Sequence, residues 1–410
     1  MQKLIGKICS ITAILMLCVL FIGNLANTII KADFIERFSK NKSNILATIE
    51  DYFNFPDALS SLLTSIQTPY LKITDRTKVN GVITLKDGRL IQEKISNPPL
   101  LDERAEVIIE LNRYLENKNI PFLFVRVPNA MRDNSDLPPL VSDTVTVLED
   151  SARFMAMLND NGVDTLDLRV EMTRDFADYA ENFYWGDHHW NVDGALWAYG
   201  KTGEYLNNTY GFKLDCKTWN PQEYERISFS KTFVGSMSRR LTREREDIIA
   251  LHPKFLTNYE VTEKTITENA TIGYATGNFV DVFIPKLKNE DNKDFGYADL
   301  NSSGGLDTNS IETYVRYINA EEQENKKILL IGDSFAIVFA SYLSTAVKQI
   351  DYEYLVDDGS TYKDEYRIYQ MFNNESYDLV LFLIYDVIIL AEGDNIESDR
   401  MYLGNPPNGY

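Results

Sequence analysis

The sequence predicts an α/β fold: a parallel sheet with helices on both faces, interrupted by a β-rich insertion and preceded by an N-terminal transmembrane or signal helix. Three observations carry this. Short, almost wholly apolar runs such as Ile120–Val127 and Lys327–Ile331 have the character of strands buried on both faces. Stretches of helical periodicity, roughly 10 to 15 residues long, separate such runs, as parallel crossovers require. Between about 211 and 325 the rhythm gives way to short alternating runs rich in Thr, Asn, Tyr and Phe.

The elements follow in order. Ile8–Ile22 is apolar except for Ser10 and Thr12, and Lys3 and Lys7 precede it, the pattern of a signal peptide or signal-anchor over 1–32. Extended to Ile30 it spans about 34 Å as a helix, enough for a bilayer core of roughly 30 Å. No small-x-small cleavage site follows closely, and Leu17 stands where a lipobox before Cys18 needs a small residue, so an uncleaved anchor is favoured over a cleaved signal. The lysines place the body outside the cytoplasm. Residues 33–80 read as a juxtamembrane helical segment, and 81–410 as the main domain. Gly81–Ile91 is a hairpin turning at Asp87-Gly88. Helices are expected at Asp102–Lys118, Asp143–Asn161, Gly194–Asn207, Ala336–Ile350 and Lys363–Phe372. Strands are expected at Ile120–Val127, Val163–Leu168, Lys327–Ile331, Tyr352–Val356 and Tyr377–Ile384. Within the insertion, Gly277–Ile284 alternates like a strand, and 289–307 reads as a linker.

Composition narrows the function. With 41 basic against 61 acidic residues the net charge is −20, or −22 without Lys3 and Lys7, which excludes electrostatic wrapping of nucleic acid. Cys9 and Cys18 lie in the apolar leader, leaving Cys216 alone in the body, so no disulfide forms there and no Cys-based metal site is expected. Cys216, beside Lys217 and Trp219, reads as a buried inert thiol. Imidazole chemistry must come from His188, His189 or His252.

Two constellations concentrate the chemistry. Gly332-Asp333-Ser334-Phe335 follows a buried strand and opens a helix. There a serine hydroxyl meets unpaired backbone N–H groups and the positive helix end, which favour developing negative charge. The competing reading is a simple helix N-cap. Trp185-Gly186-Asp187-His188-His189-Trp190-Asn191 precedes another helix. Alternate residues of an extended segment point the same way, so Asp187 could orient His189 as a base toward Ser334. The same residues could instead hold a metal with distant carboxylates, or be satisfied structural histidines.

Together the two motifs resemble the SGNH hydrolase-like proteins of the alginate O-acetyltransferase type, and most closely their DHHW relatives, over roughly residues 80 to 390. The resemblance implies a flavodoxin-like (SGNH hydrolase-like) fold with Ser334 as nucleophile, His189 as base and Asp187 as orienter. It implies an extracytoplasmic O-acetyltransferase of a cell-surface or secreted polysaccharide, working through an acyl-serine. A carbohydrate esterase or an inactive glycan-binding assembly subunit is the alternative. It further implies a polysaccharide acceptor, an acetyl donor and an integral-membrane acyltransferase partner, with no cofactor. No Gly-x-Asn-Asp segment supplies an oxyanion side chain; Gly235-Ser236, Asn129 and Asn191 are candidates, with Arg126 and Trp190 as substrate contacts. Phe183, Tyr184, Trp185, Trp190 and Trp197 could form a sugar-stacking platform. Arg239, Arg240, Arg243 and Arg245 could meet an anionic glycan or be a solvated stretch.

Overall fold

A computed structural model describes residues 78–79, 81–93, 98–138, 141, 147–241, 244–265, 268–284, 313–322, 324–355, 367–389 and 403. The leader, the segment 33–77 and the linker 289–307 lie outside them. No helix among the described residues is long and apolar enough to cross a membrane.

The main sheet has eight strands, in the order β5 (Thr165–Asp167), β4 (Phe122–Val127), β13 (Leu379–Tyr385), β11 (Lys327–Gly332), β12 (Gln349–Tyr354), β10 (Thr313–Asn319), β8 (Tyr259–Thr265) and β9 (Thr271–Gly277). The first five are parallel and the last three antiparallel. The expectation of a parallel sheet is thus corrected to a mixed one. The insertion does not stand apart: three of its strands extend the core sheet. The physical reason lies in their patterning. β8 is largely polar and β9 alternates between exposed and half-buried positions after Ile272, as antiparallel strands near a sheet edge can, whereas β11 and β13 are apolar almost throughout and buried.

Helices cover both faces. Phe124 and Phe382 are register partners and stack at 5.5 Å, and Phe124 meets Phe154 of α2 (Val147–Asp160). Three residues past Phe382, on the opposite face by alternation, Tyr385 stacks at 4.5 Å on Phe335 of α6 (Phe335–Leu343). The α2 face also holds α1 (Pro98–Asn117), whose Tyr114 meets Tyr369 of α7 (Arg367–Asn374). The α6 face holds α4 (Val192–Tyr210), joined to α3 (Leu168–Asp175) through Lys201–Asp175 at 2.7 Å. Successive crossovers after β11 and β12 therefore lie on opposite faces, which opens a crevice at the carboxyl end of β11.

Several expected elements change. The alternating run at Gly277–Ile284 is the short helix α5 (Phe279–Phe283), because Asn278 and Asp281 form a capping box. The helix expected over Ala336–Ile350 ends at Leu343, and Ile350 belongs to β12. Strand β5 passes directly into α3, with Asp167 as its N-cap, where a longer strand was expected. The hairpin forms as β2 (Val82–Thr84) and β3 (Leu90–Gln92), with Gly88 at φ +95°, and β1 (Lys78–Val79) joins it. A second hairpin pairs β6 (Tyr224–Val234) with β7 (Arg245–Pro253). Cys216 is exposed, which corrects the expectation of a buried thiol: it begins a short 3-10 turn capped by Asp215 at the surface.

Candidate active site

Gly332 ends β11 where the chain must pass close to β13: a Cβ there would lie 2.5 Å from the Leu383 carbonyl oxygen. Asp333, which follows, is buried. Its Oδ1 accepts the Phe335 N–H at 2.9 Å and its Oδ2 accepts the Tyr385 N–H at 2.8 Å, which ties the start of α6 to the end of β13. Asp333 thereby does the capping. Ser334, at the N-cap position, makes no side-chain cap bond, so the simple N-cap reading of Ser334 does not describe its hydroxyl.

That hydroxyl meets the second constellation. Ser334 Oγ lies 2.6 Å from His189 Nε2, and His189 Nδ1 lies 2.5 Å from Asp187 Oδ1. A carboxylate only accepts, so Nδ1 carries the proton and Nε2 is left to accept from Ser334. Asp187 is fixed by the Ser236 N–H on Oδ2 at 2.6 Å and the His189 N–H on Oδ1 at 3.1 Å. Burial opposes its ionisation, but the His189 and His188 imidazoles and the Ser236 N–H outweigh burial and hold the carboxyl well below the usual range. Phe335 packs 4.7 Å from the His189 ring.

The loop 185–190 is itself clamped by groups that carry no motif. Glu246 of β7 accepts the Trp185 and Gly186 N–H groups at 2.6 and 2.8 Å. The Gly186 carbonyl accepts from Met237 and Ser238, and a Cβ on Gly186 would sit 1.9 Å from Ser238 Oγ. Leu90 N–H, from the first hairpin, donates to the Trp185 carbonyl at 3.1 Å. Sequence reasoning missed Glu246 and Ser238, and it offered Ser236 as an oxyanion donor, whereas its N–H holds Asp187. The one available signal was the glycine in Trp185-Gly186-Asp187.

The other candidates have different places. Arg126 faces α2, across the sheet from Ser334. It is buried and bonded to Asp167 at 3.0 Å, Ser151 at 2.6 Å and Asp386 at 3.5 Å. Asn129 accepts from Met131 N–H at 2.8 Å and reaches Asp386 at 3.5 Å. Asn191 caps α4 through the Asp193 and Gly194 N–H groups. Gly235 packs behind the loop, where a Cβ would lie 2.3 Å from the Gly186 oxygen. Each of these four is engaged with scaffold groups of the fold. Trp190 is 1% exposed and packs edge-to-face on Phe335. Of the five aromatics read as a stacking platform, Phe183 and Trp190 are core, Tyr184 and Trp197 are half-buried, and Trp185 is exposed. Arg239 and Arg240 are exposed on the turn that holds Gly186, while Arg243 lies outside the described residues.

Asp187, His188 and His189 have possible metal-ligand atoms within 4.8 Å of one another. His252 does not join them. Both nitrogens of His189 are already engaged with Asp187 and Ser334, and His188 Nδ1 lies 3.0 Å from Ser236 Oγ. A cation here would have to break the Asp187–His189 or His189–Ser334 contact to gain an imidazole from His189. A separate cleft lined by Tyr184, Trp190, Ile249, Phe279, Val338 and Tyr342, among others, does not include Ser334 or His189.

Comparison with known proteins bears on the fold. The family model described as SGNH hydrolase-like domain, acetyltransferase AlgX, matches residues 87–277. PatB1 of Bacillus cereus, solved with a sulfonyl adduct, is similar in structure, with a TM-score of 0.60 and 17% identity over 79% of this chain and 100% of that one. A DHHW family protein from Eubacterium siraeum has a TM-score of 0.56 and 14% identity over 81% of this chain and 98% of that one. No curated protein sequence matches. Residues 87–277 thus match an SGNH hydrolase-like domain model, the fold is shared with these structures, and the Asp-His-His-Trp tetrapeptide stands at Asp187–Trp190.

Proposed function

We propose that this SGNH hydrolase-like domain is a serine-dependent O-acetyltransferase acting on a polysaccharide outside the cytoplasm. The observation that supports it most is the continuous chain Asp187–His189–Ser334, with contacts of 2.5 and 2.6 Å. In this reading, Ser334 Oγ attacks the carbonyl carbon of an acetyl donor while His189 Nε2 takes its proton. The helix N-terminus at Ser334 favours the oxyanion. Collapse of the tetrahedral intermediate forms acetyl-Ser334, and the proton on His189 passes to the leaving group. A sugar hydroxyl then attacks the acetyl carbon, with His189 again as base, and Ser334 is regenerated. Asp187, held ionised, keeps Nδ1 protonated and stabilises the imidazolium formed in each half-reaction.

Transfer and hydrolysis share the acyl-enzyme and differ in which hydroxyl reaches it. A small chromogenic acetyl ester therefore reports the first half-reaction. Its turnover by the purified chain should fall by roughly 10⁴-fold in Ser334→Ala, because triad members act as a unit. Asp187→Asn should cost a similar order through the wrong tautomer. Unchanged turnover in Ser334→Ala would remove the serine from the mechanism. The leader would hold the domain at the outer membrane face, where an integral-membrane partner delivers the acetyl donor. Affinity capture from membranes that recovers no acyltransferase would refute that partnership.

A further inference from the structure

Behind the loop that carries Asp187 and His189 stands a carboxylate that the proposed reaction does not use. Glu246 spends both oxygens on consecutive backbone donors, Oε2 on Trp185 N–H at 2.6 Å and Oε1 on Gly186 N–H at 2.8 Å. Charge-assisted bonds of this kind are about twice as strong as neutral ones. The carbonyls of the same two residues are also held, by Leu90 N–H from one hairpin and by Met237 and Ser238 N–H from the other. All four backbone polar groups of the dipeptide preceding Asp187 are therefore engaged. The next bond along is Ser236 N–H on Asp187 Oδ2. Burial and the nearby Asp187 push the Glu246 carboxyl above its usual range, against the pull of the two N–H groups. Ionising a carboxylate there costs free energy that a neutral side chain would not.

We infer that Glu246 is a positioning residue: it sets the dipeptide 185–186, and through it the angle at which Asp187 Oδ1 meets His189 Nδ1. The inference rests on the reading of Ser334 as nucleophile. An error of about 1 Å in such a couple costs on the order of 10²-fold in rate.

Glu246→Gln separates this role from one in packing. The side chain is isosteric, but its NH₂ opposes one of the two N–H groups. A role in shape alone predicts wild-type behaviour. The positioning role predicts that kcat for a chromogenic acetyl ester falls about 10- to 100-fold. KM should stay within about threefold and the melting temperature near the wild type. The far-downfield proton resonance of His189 Nδ1 should move or broaden in the same variant. In the wild-type chain the Trp185 amide, on an exposed residue, should be protected from hydrogen exchange together with Gly186, and this arm stands even if the variant does not fold. Wild-type kcat in folded Glu246→Gln, an unmoved His189 resonance, or rapid exchange of both amides would each overturn the inference. Absence of ester turnover in the wild type would instead count against the serine mechanism, and the resonance and exchange arms would still judge Glu246.

Discussion

Gly186 shows how little room the site leaves. An added Cβ would lie 1.9 Å from Ser238 Oγ and 2.9 Å from Ser238 Cβ. Gly186→Ala should therefore destabilise by about 1–3 kcal/mol through overpacking. Adding Ser238→Gly, which removes both atoms, should recover most of it, as a double-mutant cycle in urea would measure. Asp187 makes a second prediction. Its folded value lies below the unfolded one near 3.9, so its stabilisation is present above that pH and is lost as pH falls toward the folded value. The melting-temperature gap between wild type and Asp187→Asn should hold near pH 6 and narrow toward about pH 3. A gap constant with pH would show that the carboxylate is not stabilised in the fold. The residues now in contact were conspicuous in the sequence because the base had so few candidates, with three histidines in the chain, and because Ser334 stands between a buried strand and a helix. Glu246 was not conspicuous. It is one of 61 acidic residues, and its partners are backbone amides that any sequence offers.

At the level of elements, Asn191 marks the difference between a site residue and a scaffold residue. Its Oδ1 caps α4 and its Nδ2 donates to the Glu181 carbonyl at 2.8 Å. Asn191→Ala should cost about 1 kcal/mol of stability while ester turnover by folded enzyme stays within a few-fold. A loss of activity comparable to that of Ser334→Ala would restore Asn191 to the candidate oxyanion donors. Buried parallel strands were legible because both faces must be apolar, which leaves near-continuous runs such as Leu379–Tyr385. Short elements were not. Gly277–Ile284 fits a period of two as well as it fits one turn of helix, and the decision rests on the Asn278–Asp281 capping box. The turn from β5 into α3 was hidden for the same reason: Asp167 serves both as the last strand residue and as the N-cap.

In the molecule as a whole, the change from parallel to antiparallel pairing is bridged by the β10–β12 ladder and by a buried ion pair. Arg316 of β10 holds Asp351 of β12 through two bonds of 2.7 Å, and reaches Glu375 at 2.9 Å. Asp351 is fully buried and also accepts from the Tyr377 hydroxyl at 2.6 Å. Arg316→Met should cost about 3–5 kcal/mol, because it leaves that carboxylate uncompensated. An unchanged urea midpoint would show that the insertion strands are held by other means. How the insertion joins the sheet was not legible in sequence, since strand order is a property of pairing and not of composition. That order has a consequence for how the chain assembles. β13 sits between β4 and β11, so the last of the described strands in chain order is the wedge between the two halves of the parallel array. Until it is inserted, β4 and β11 have no common neighbour in the sheet, and Asp333 lacks the Tyr385 amide that steadies it. A polypeptide that has not yet laid this strand into the sheet would thus lack the amide that holds Asp333 beside the reactive alcohol.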